Sequence, residues 1–93
     1  MIKVEGKYFW REGKKIGFIR DEHIWSYEGE KLGYWREDHI FDMDGHKLAY
    51  LQDDHIYFNN SPQKIRIEDN NKEIIGGDLS NIERAAVRIF LGE

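Results

Sequence analysis

A period of sixteen residues constrains this chain more than any other feature. His23-Ile24-Trp25, His39-Ile40-Phe41 and His55-Ile56-Tyr57 recur at that interval, as do Gly13, Gly29 and Gly45, and then Ile16, Leu32 and Leu48. Gly17, Gly33 and Ala49 keep a small residue in register, Phe18, Tyr34 and Tyr50 an aromatic one, and Asp21-Glu22, Glu37-Asp38 and Asp53-Asp54 an acidic pair. A fixed period decides architecture, because each copy is one unit that must pack against the next. Sixteen residues with two turn signals leave room for two strands of about five residues, so each copy is hairpin-like. One turn carries the glycine, where a positive φ costs little, and the other carries the acidic pair. A fourth copy decays after Ile56-Tyr57: Ser61-Pro62 replaces the glycine, and Lys64-Ile65-Arg66-Ile67 replaces the usual strand.

Taking the turns as boundaries, strands are expected near 2–5, 7–11, 14–20, 23–27, 30–36, 39–43, 46–52, 55–58, 63–67 and 72–75. Tight turns make neighbours antiparallel, and closure would remove exposed edges, so the expected fold is mostly β. It is an antiparallel meander of about ten short strands in a closed or nearly closed barrel. The tail has a different period. Ser80-x-x-Glu83 is a capping-box signature, and Ile82, Ala85, Ala86, Ile89 and Phe90 follow at helical spacing. The spacing predicts an amphipathic helix over 79–91, led in flexibly by Gly76-Gly77 and stopped by Gly92. The whole of 1–93 reads as a single domain, with a β region at 1–75 and this helix. The helix could plug the barrel, but Glu83, Arg84 and Arg88 make one face polar, so capping a mouth, lying on the wall or meeting another subunit are the alternatives.

The units Ile24-Trp-Ser-Tyr-Glu-Gly-Glu-Lys-Leu-Gly-Tyr-Trp35 and Ile40-Phe-Asp-Met-Asp-Gly-His-Lys-Leu-Ala-Tyr-Leu51 resemble the bacterial four-fold β-flower repeats. The resemblance covers about residues 7–58 and implies a shallow symmetric barrel, similar to the tubby-like superfamily in which strands wrap a helix. That comparison would suggest a phospholipid headgroup as ligand. No basic cluster in this chain matches such a site, so the resemblance implies fold and no binding residue.

Composition narrows the function classes. The 93 residues contain no cysteine, which removes disulfides and thiol chemistry and makes a cytoplasmic location the default expectation. No stretch approaches the roughly 18 apolar residues of a membrane span, and nothing at the N-terminus reads as a signal peptide. The net charge is −4 and Lys/Arg are spread along the chain, so nucleic acid is not an expected partner.

Two constellations could carry chemistry. His23, His39 and His55 are a candidate metal set, because equivalent repeat positions return to one rim of a barrel and imidazole is a common ligand. The plainer reading is that acidic pairs make turns and each His begins a strand about 9.5 Å from the next. Asp42-Met43-Asp44-Gly45 imitates the opening of a calcium loop but lacks its terminal glutamate, so a hairpin turn explains it, and His46 reads as a solvated turn residue. No nucleophile elbow, phosphate loop or metalloprotease pattern occurs, so neither catalytic residues nor a cofactor are expected.

Aromatics make up 14% of the chain. Strand parity cannot bury them all on one face: Leu32 and Tyr34 share a parity, and Trp35 has the other. Trp10, Trp25 and Trp35, with Ile89 and Phe90 of the helix, are the candidate interface residues. The expected function is a non-catalytic interaction module engaging a protein partner or itself. The alternative is a small-ligand or metal-binding protein of phage-inhibitor or ligand-sponge type, using the His/acid rim or the barrel mouth.

Overall fold

A computed structural model describes residues 1–92. Ten strands are present: β1 (Ile2–Glu5), β2 (Tyr8–Arg11), β3 (Lys14–Arg20), β4 (His23–Ser26), β5 (Lys31–Arg36), β6 (His39–Asp42), β7 (Lys47–Gln52), β8 (His55–Phe58), β9 (Lys64–Arg66) and β10 (Ile74–Ile75). Two helices, α1 (Ile67–Asn71) and α2 (Asn81–Leu91), are the other elements of the described residues. The strands form one sheet in the order β10-β1-β2-β3-β4-β5-β6-β7-β8-β9, antiparallel except for the parallel pair β1–β10. Every strand lies within two residues of its turn-bounded expectation. The acidic pairs are the reason at one end of the hairpins. Asp21 and Glu22 (φ 53° and 59°), and Asp53 and Asp54 (49° and 65°), are left-handed together. That is the backbone of a two-residue loop whose twist matches its strands.

The sheet does not alternate strictly, and this overturns the parity expected for Leu32 and Tyr34. Pairing slips by one residue at the same place in three successive copies: Phe9↔Gly17 is followed by Trp10↔Lys15, Ile24↔Gly33 by Trp25↔Lys31, and Ile40↔Ala49 by Phe41↔Lys47. The extra residues are Ile16, Leu32 and Leu48, so this repeat column is a β-bulge. The bulge lets Ile16 and Leu32 pack against the core although Lys15, Lys31 and Tyr34 belong to the opposite face. The inner face then carries Val4, Phe9, Ile19, Ile24, Trp35, Ile40, Ala49 and Ile56, all buried.

Helix α2 lies on this inner face against β4, β5 and β6. Its Ala85, Ala86 and Val87 are completely buried, and Ile82, Ile89, Phe90 and Leu91 pack around them. The small-residue column makes room for it. A methyl group at Gly33 would run into the ring of Phe90, and one at Gly17 into the Leu91 side chain and the Trp25 carbonyl. The capping box forms as expected: Ser80 Oγ accepts from the Glu83 N–H, and the Ser80 N–H donates to Glu83 Oε1 at 2.8 Å. The preceding Gly76-Gly77 is a fixed turn and not a flexible lead-in. Both residues are left-handed (φ 93° and 68°), and a Cβ on either would strike Val4. The Arg84 guanidinium donates to the carbonyls of Ile74 (2.6 Å), Gly76 (2.9 Å) and Gly77 (3.3 Å), tying the helix to β10. The polar side chain expected to forbid burial is thus a clamp. At the other end Gly92 stops the helix in extended conformation (φ −71°), not in a left-handed cap.

The sheet is open: β9 and β10 are its two edges and do not pair. The residues between them, expected to continue as strand and loop, instead form α1, which contacts both edge strands and α2. Ile67, at its start, packs against the core where a further inward strand residue would have stood. The sheet nevertheless curls. Ten strands laid flat would span about 43 Å at about 4.8 Å per spacing, whereas the largest extent of the molecule is 33 Å. With α2 on the concave side, the other face is convex.

Gly33→Ala is expected to cost about 1–3 kcal/mol, because a close-packed interior does not absorb an extra methyl group against an aromatic ring. Adding Phe90→Leu should recover part of that loss in a denaturant titration of the double mutant. Additive effects would show that Gly33 and Phe90 are not in contact.

Candidate functional site

The convex face is organised by the same register that seats the helix. Directly opposed residues on adjacent strands share a face, so the pairings can be followed across the sheet. One row runs Glu5–Tyr8–Phe18–Trp25–Lys31. The next runs Arg20–His23–Tyr34–Phe41–Lys47. A third runs Arg36–His39–Tyr50–Tyr57–Lys64. Two shorter rows flank them, Lys3–Trp10–Lys15 and Gln52–His55–Arg66. Each full row is three rings long and ends in a lysine.

Within a row the rings touch. Phe18–Trp25, Tyr34–Phe41 and Tyr50–Tyr57 stack with centroids 5.6, 5.1 and 5.2 Å apart and interplanar angles of 10°, 27° and 14°. The first ring of each row is tilted against the second: Tyr8–Phe18 by 48°, His23–Tyr34 by 45° and His39–Tyr50 by 41°. Cross-strand aromatic pairs of this kind stabilise a sheet by roughly 0.5–1.5 kcal/mol each. Lysines close the rows. Lys31 Nζ lies 5.3 Å from the Trp25 ring centre and Lys64 Nζ 5.8 Å from that of Tyr57, while Lys15 Nζ lies 5.3 Å from that of Trp10 in its own short row and 4.2 Å from that of Tyr8 in the next. The rings are half-buried, except Tyr8, which is exposed.

The three repeat histidines stand inside these rows on alternate strands and are not brought together. Two strand spacings and a two-residue offset along the strand, about 12 Å in all, separate neighbours. His23 Nδ1 donates to the Asp21 carbonyl (2.6 Å) and His55 Nδ1 to the Asp53 carbonyl (2.9 Å), which leaves Nε2 of each ring as the acceptor. His39 Nδ1 makes no such bond. Its turn differs, because Glu37 is left-handed (φ 54°) while Asp38 is not.

The candidate interface residues divide. Trp25 belongs to the convex face, with its indole N–H held by the Arg20 carbonyl (3.0 Å). Trp10 lies on the same face and lines a groove of about 590 Å3 with Met1, Lys3, Arg11 and Ile75. Trp35 is 9% exposed and lies in the core, because its register pairs it with Ile40 on the inner face. Ile89 and Phe90 pack against the sheet of their own chain.

Among the described residues, the group of acids and histidines whose ligand atoms lie within 4.8 Å of one another is Asp42, Asp44 and His46, not the repeat histidines. Its geometry is that of a turn. Asp42 Oδ1 accepts from the N–H groups of Asp44 and His46, both at 2.9 Å, and Oδ2 lies 3.2 Å from His46 Nδ1. Ser26, sixteen residues earlier, serves the preceding copy in the same way, accepting from the Glu30 N–H at 3.1 Å. Also among the described residues, no helix is long and apolar enough to cross a membrane.

No known protein family matches the chain, and neither does any curated protein or solved structure. The resemblance to β-flower repeats therefore rests on the repeat columns alone. The rows themselves went unread in the sequence, although their signal was present. Lys15, Lys31 and Lys47 share the sixteen-residue interval, and counting the bulge at Ile16, Leu32 and Leu48 puts them on the aromatic face.

The backbone N–H of His46 chiefly, with the His46 ring and the Asp44 N–H, holds the Asp42 carboxyl below the usual carboxylate range. A lowered folded-state value stabilises the fold at pH above the unfolded value of about 3.9, and this contribution is lost as the pH falls through the folded value. Asp42→Ala is accordingly expected to lower the melting temperature at pH 6 by more than at pH 3. An equal loss at both pH values would show that the carboxylate charge is not what caps the turn.

Proposed function

We propose that the protein is a non-catalytic binding module whose working surface is the convex face of the sheet. The observation that carries this reading is the three consecutive rows of rings, each closed by a lysine, on the face that α2 does not cover. A sheet needs one apolar face to build a core, and here the inner face and α2 already supply it. A second face of Tyr, Trp, Phe and His exceeds that need, and contiguous exposed apolar surface is characteristic of interaction sites.

The charges on this face narrow the partner. Arg20, Arg36, Arg66, Lys3, Lys15, Lys31, Lys47 and Lys64 occupy the rows against a single acid, Glu5. Two copies meeting through this face would oppose like charges, which costs several kcal/mol at an interface. An anionic partner therefore fits better than face-to-face self-association. A small-ligand role has one specific support, the groove beside Trp10, whose volume falls within the range of ligand sites.

The reading is tested by comparing material captured from a lysate of the source cells by the tagged protein and by a Tyr34→Ser, Tyr50→Ser variant of it. The expected result is at least one component, protein or nucleic acid, retained by the first and lost by the second, with both proteins folded by circular dichroism. Identical captured material would remove the convex face as the working surface.

A further inference from the structure

We infer that the convex face binds single-stranded nucleic acid, with the backbone following Lys15, Lys31, Lys47 and Lys64 and the bases meeting the adjoining rings. This deepens the proposed function and rests on it. The expectation against nucleic acid came from net charge and from lysines scattered along the sequence. Folding sorts those charges. The carboxylates of Asp21, Glu22, Glu37, Asp38, Asp53 and Asp54 go to turns at one rim, while Lys15, Lys31, Lys47 and Lys64 stand at the starts of β3, β5, β7 and β9, toward the other.

Four observations select the occupant. First, the lysine track is free for a ligand. Lys3 is paired with Glu5 (3.4 Å), Arg20 with Asp21 (3.9 Å) and Arg66 with Glu68 (3.4 Å). Lys15, Lys31, Lys47 and Lys64 form no ion pair with any described residue, and Lys15, Lys31 and Lys64 rest on rings instead. Second, the track is continuous: these lysines stand on β3, β5, β7 and β9, two strand spacings and an offset of about two residues apart, roughly 12 Å, which makes a path of about 35 Å. Third, the face is convex. A duplex, with a persistence length of about 50 nm, cannot follow a surface that curves within one small domain, whereas a single strand can. Fourth, the cations adjoin rings. The rings beside the lysines are Tyr8, which is exposed, and Trp25 and Tyr57, which are half-buried, so each keeps part of its surface open to solvent. Cations along a backbone track with aromatics for successive bases are the combination by which single strands are held without sequence preference. An acidic peptide would use the lysines and leave the rings without a role. The turns beyond the track carry Glu12, Glu28, Glu30 and Asp44, which confine a polyanion to the strip of the face.

The test is fluorescence anisotropy with a labelled oligo-dT of twenty nucleotides, titrated with the full chain between 50 and 200 mM salt. Four phosphate contacts predict a slope of log K against log salt of about −3, and Lys31→Gln with Lys47→Gln should halve it to about −1.5. Tyr34→Leu with Tyr50→Leu keeps the apolar area and all charges but should weaken binding at least fivefold. An abasic oligomer and polyglutamate are expected to bind more weakly than oligo-dT, and a duplex of the same length more weakly still. Absence of binding to oligo-dT at 50 mM salt would overturn the inference. So would equal binding of the abasic oligomer or of polyglutamate, which would make the track a site for any flexible polyanion. Should the tyrosine variant fail to fold, the lysine variant, altered only at exposed positions, still decides through the salt slope. If oligo-dT does not bind but the capture experiment still separates wild type from variant, the convex face works on another partner. If both fail, the face itself is wrong.

Discussion

The fold depends on how closely α2 can approach the sheet. Gly17, Gly33 and Ala49 stand at equivalent places on β3, β5 and β7, and the helix sets Phe90 and Leu91 against the two glycines. A domain of this size buries only about two-thirds of the surface its unfolded chain exposes, so a gap of one side-chain layer would be a large fraction of its core. Close approach brings Ala85, Ala86 and Val87 to complete burial and lets small residues stand where large ones would hold the layers apart. Arg84 then fixes the near end, with carbonyls of β10 and the glycine turn as its acceptors. The helix is therefore the inner layer that an open sheet requires.

The repeated bulge does the complementary work on the outside. Without an extra residue at Ile16, Leu32 and Leu48, Lys15, Lys31 and Lys47 would point with the core residues and the aliphatic side chains would point to water. One inserted residue per copy reverses this, because a slip of one position exchanges the faces of a strand. A single local irregularity thus separates an aliphatic interior from a ring-and-cation exterior. The bulge recurs in three copies and is absent from the fourth, where β9 alternates regularly, with Ile65 inward and only Lys64 and Arg66, and no ring, in the outer rows.

Much of the fold was legible in the sequence, for reasons that can be named. Glycines and acidic pairs at a fixed interval mark turns, and turns bound strands, which is why the ten strands were locatable. Ser80 and Glu83 carry a capping geometry in their spacing alone. Three things were not legible. The helical turn at Ile67–Asn71 has too few residues for a periodic signal, and its position depends on the two sheet edges it contacts. The use of Arg84 as a clamp needs carbonyls that only the folded glycine turn presents. The outer rows are hidden because strict alternation misassigns every residue beyond a bulge, and the chemistry that makes a Trp an interface candidate does not tell buried Trp35 from Trp25 on the outer face. The histidines show the converse limit: equal spacing in sequence gave equal places on the sheet, but equal places on alternate strands are too far apart to share a ligand.

The parallel pairing of β1 with β10 has a consequence for how the chain reaches this structure. From β1 to β9 every strand pairs with its sequence neighbour, so the meander can form by successive short-range steps, which favour rapid folding. The β1–β10 contact and the seating of α2 are long-range: the first needs Ile74 and Ile75 and the second needs residues up to Leu91, after all nine meander strands have been made. A growing chain would hold its hairpins in order while the inner face stayed wet. It is the seating of the eleven-residue helix that closes this face into a dry core.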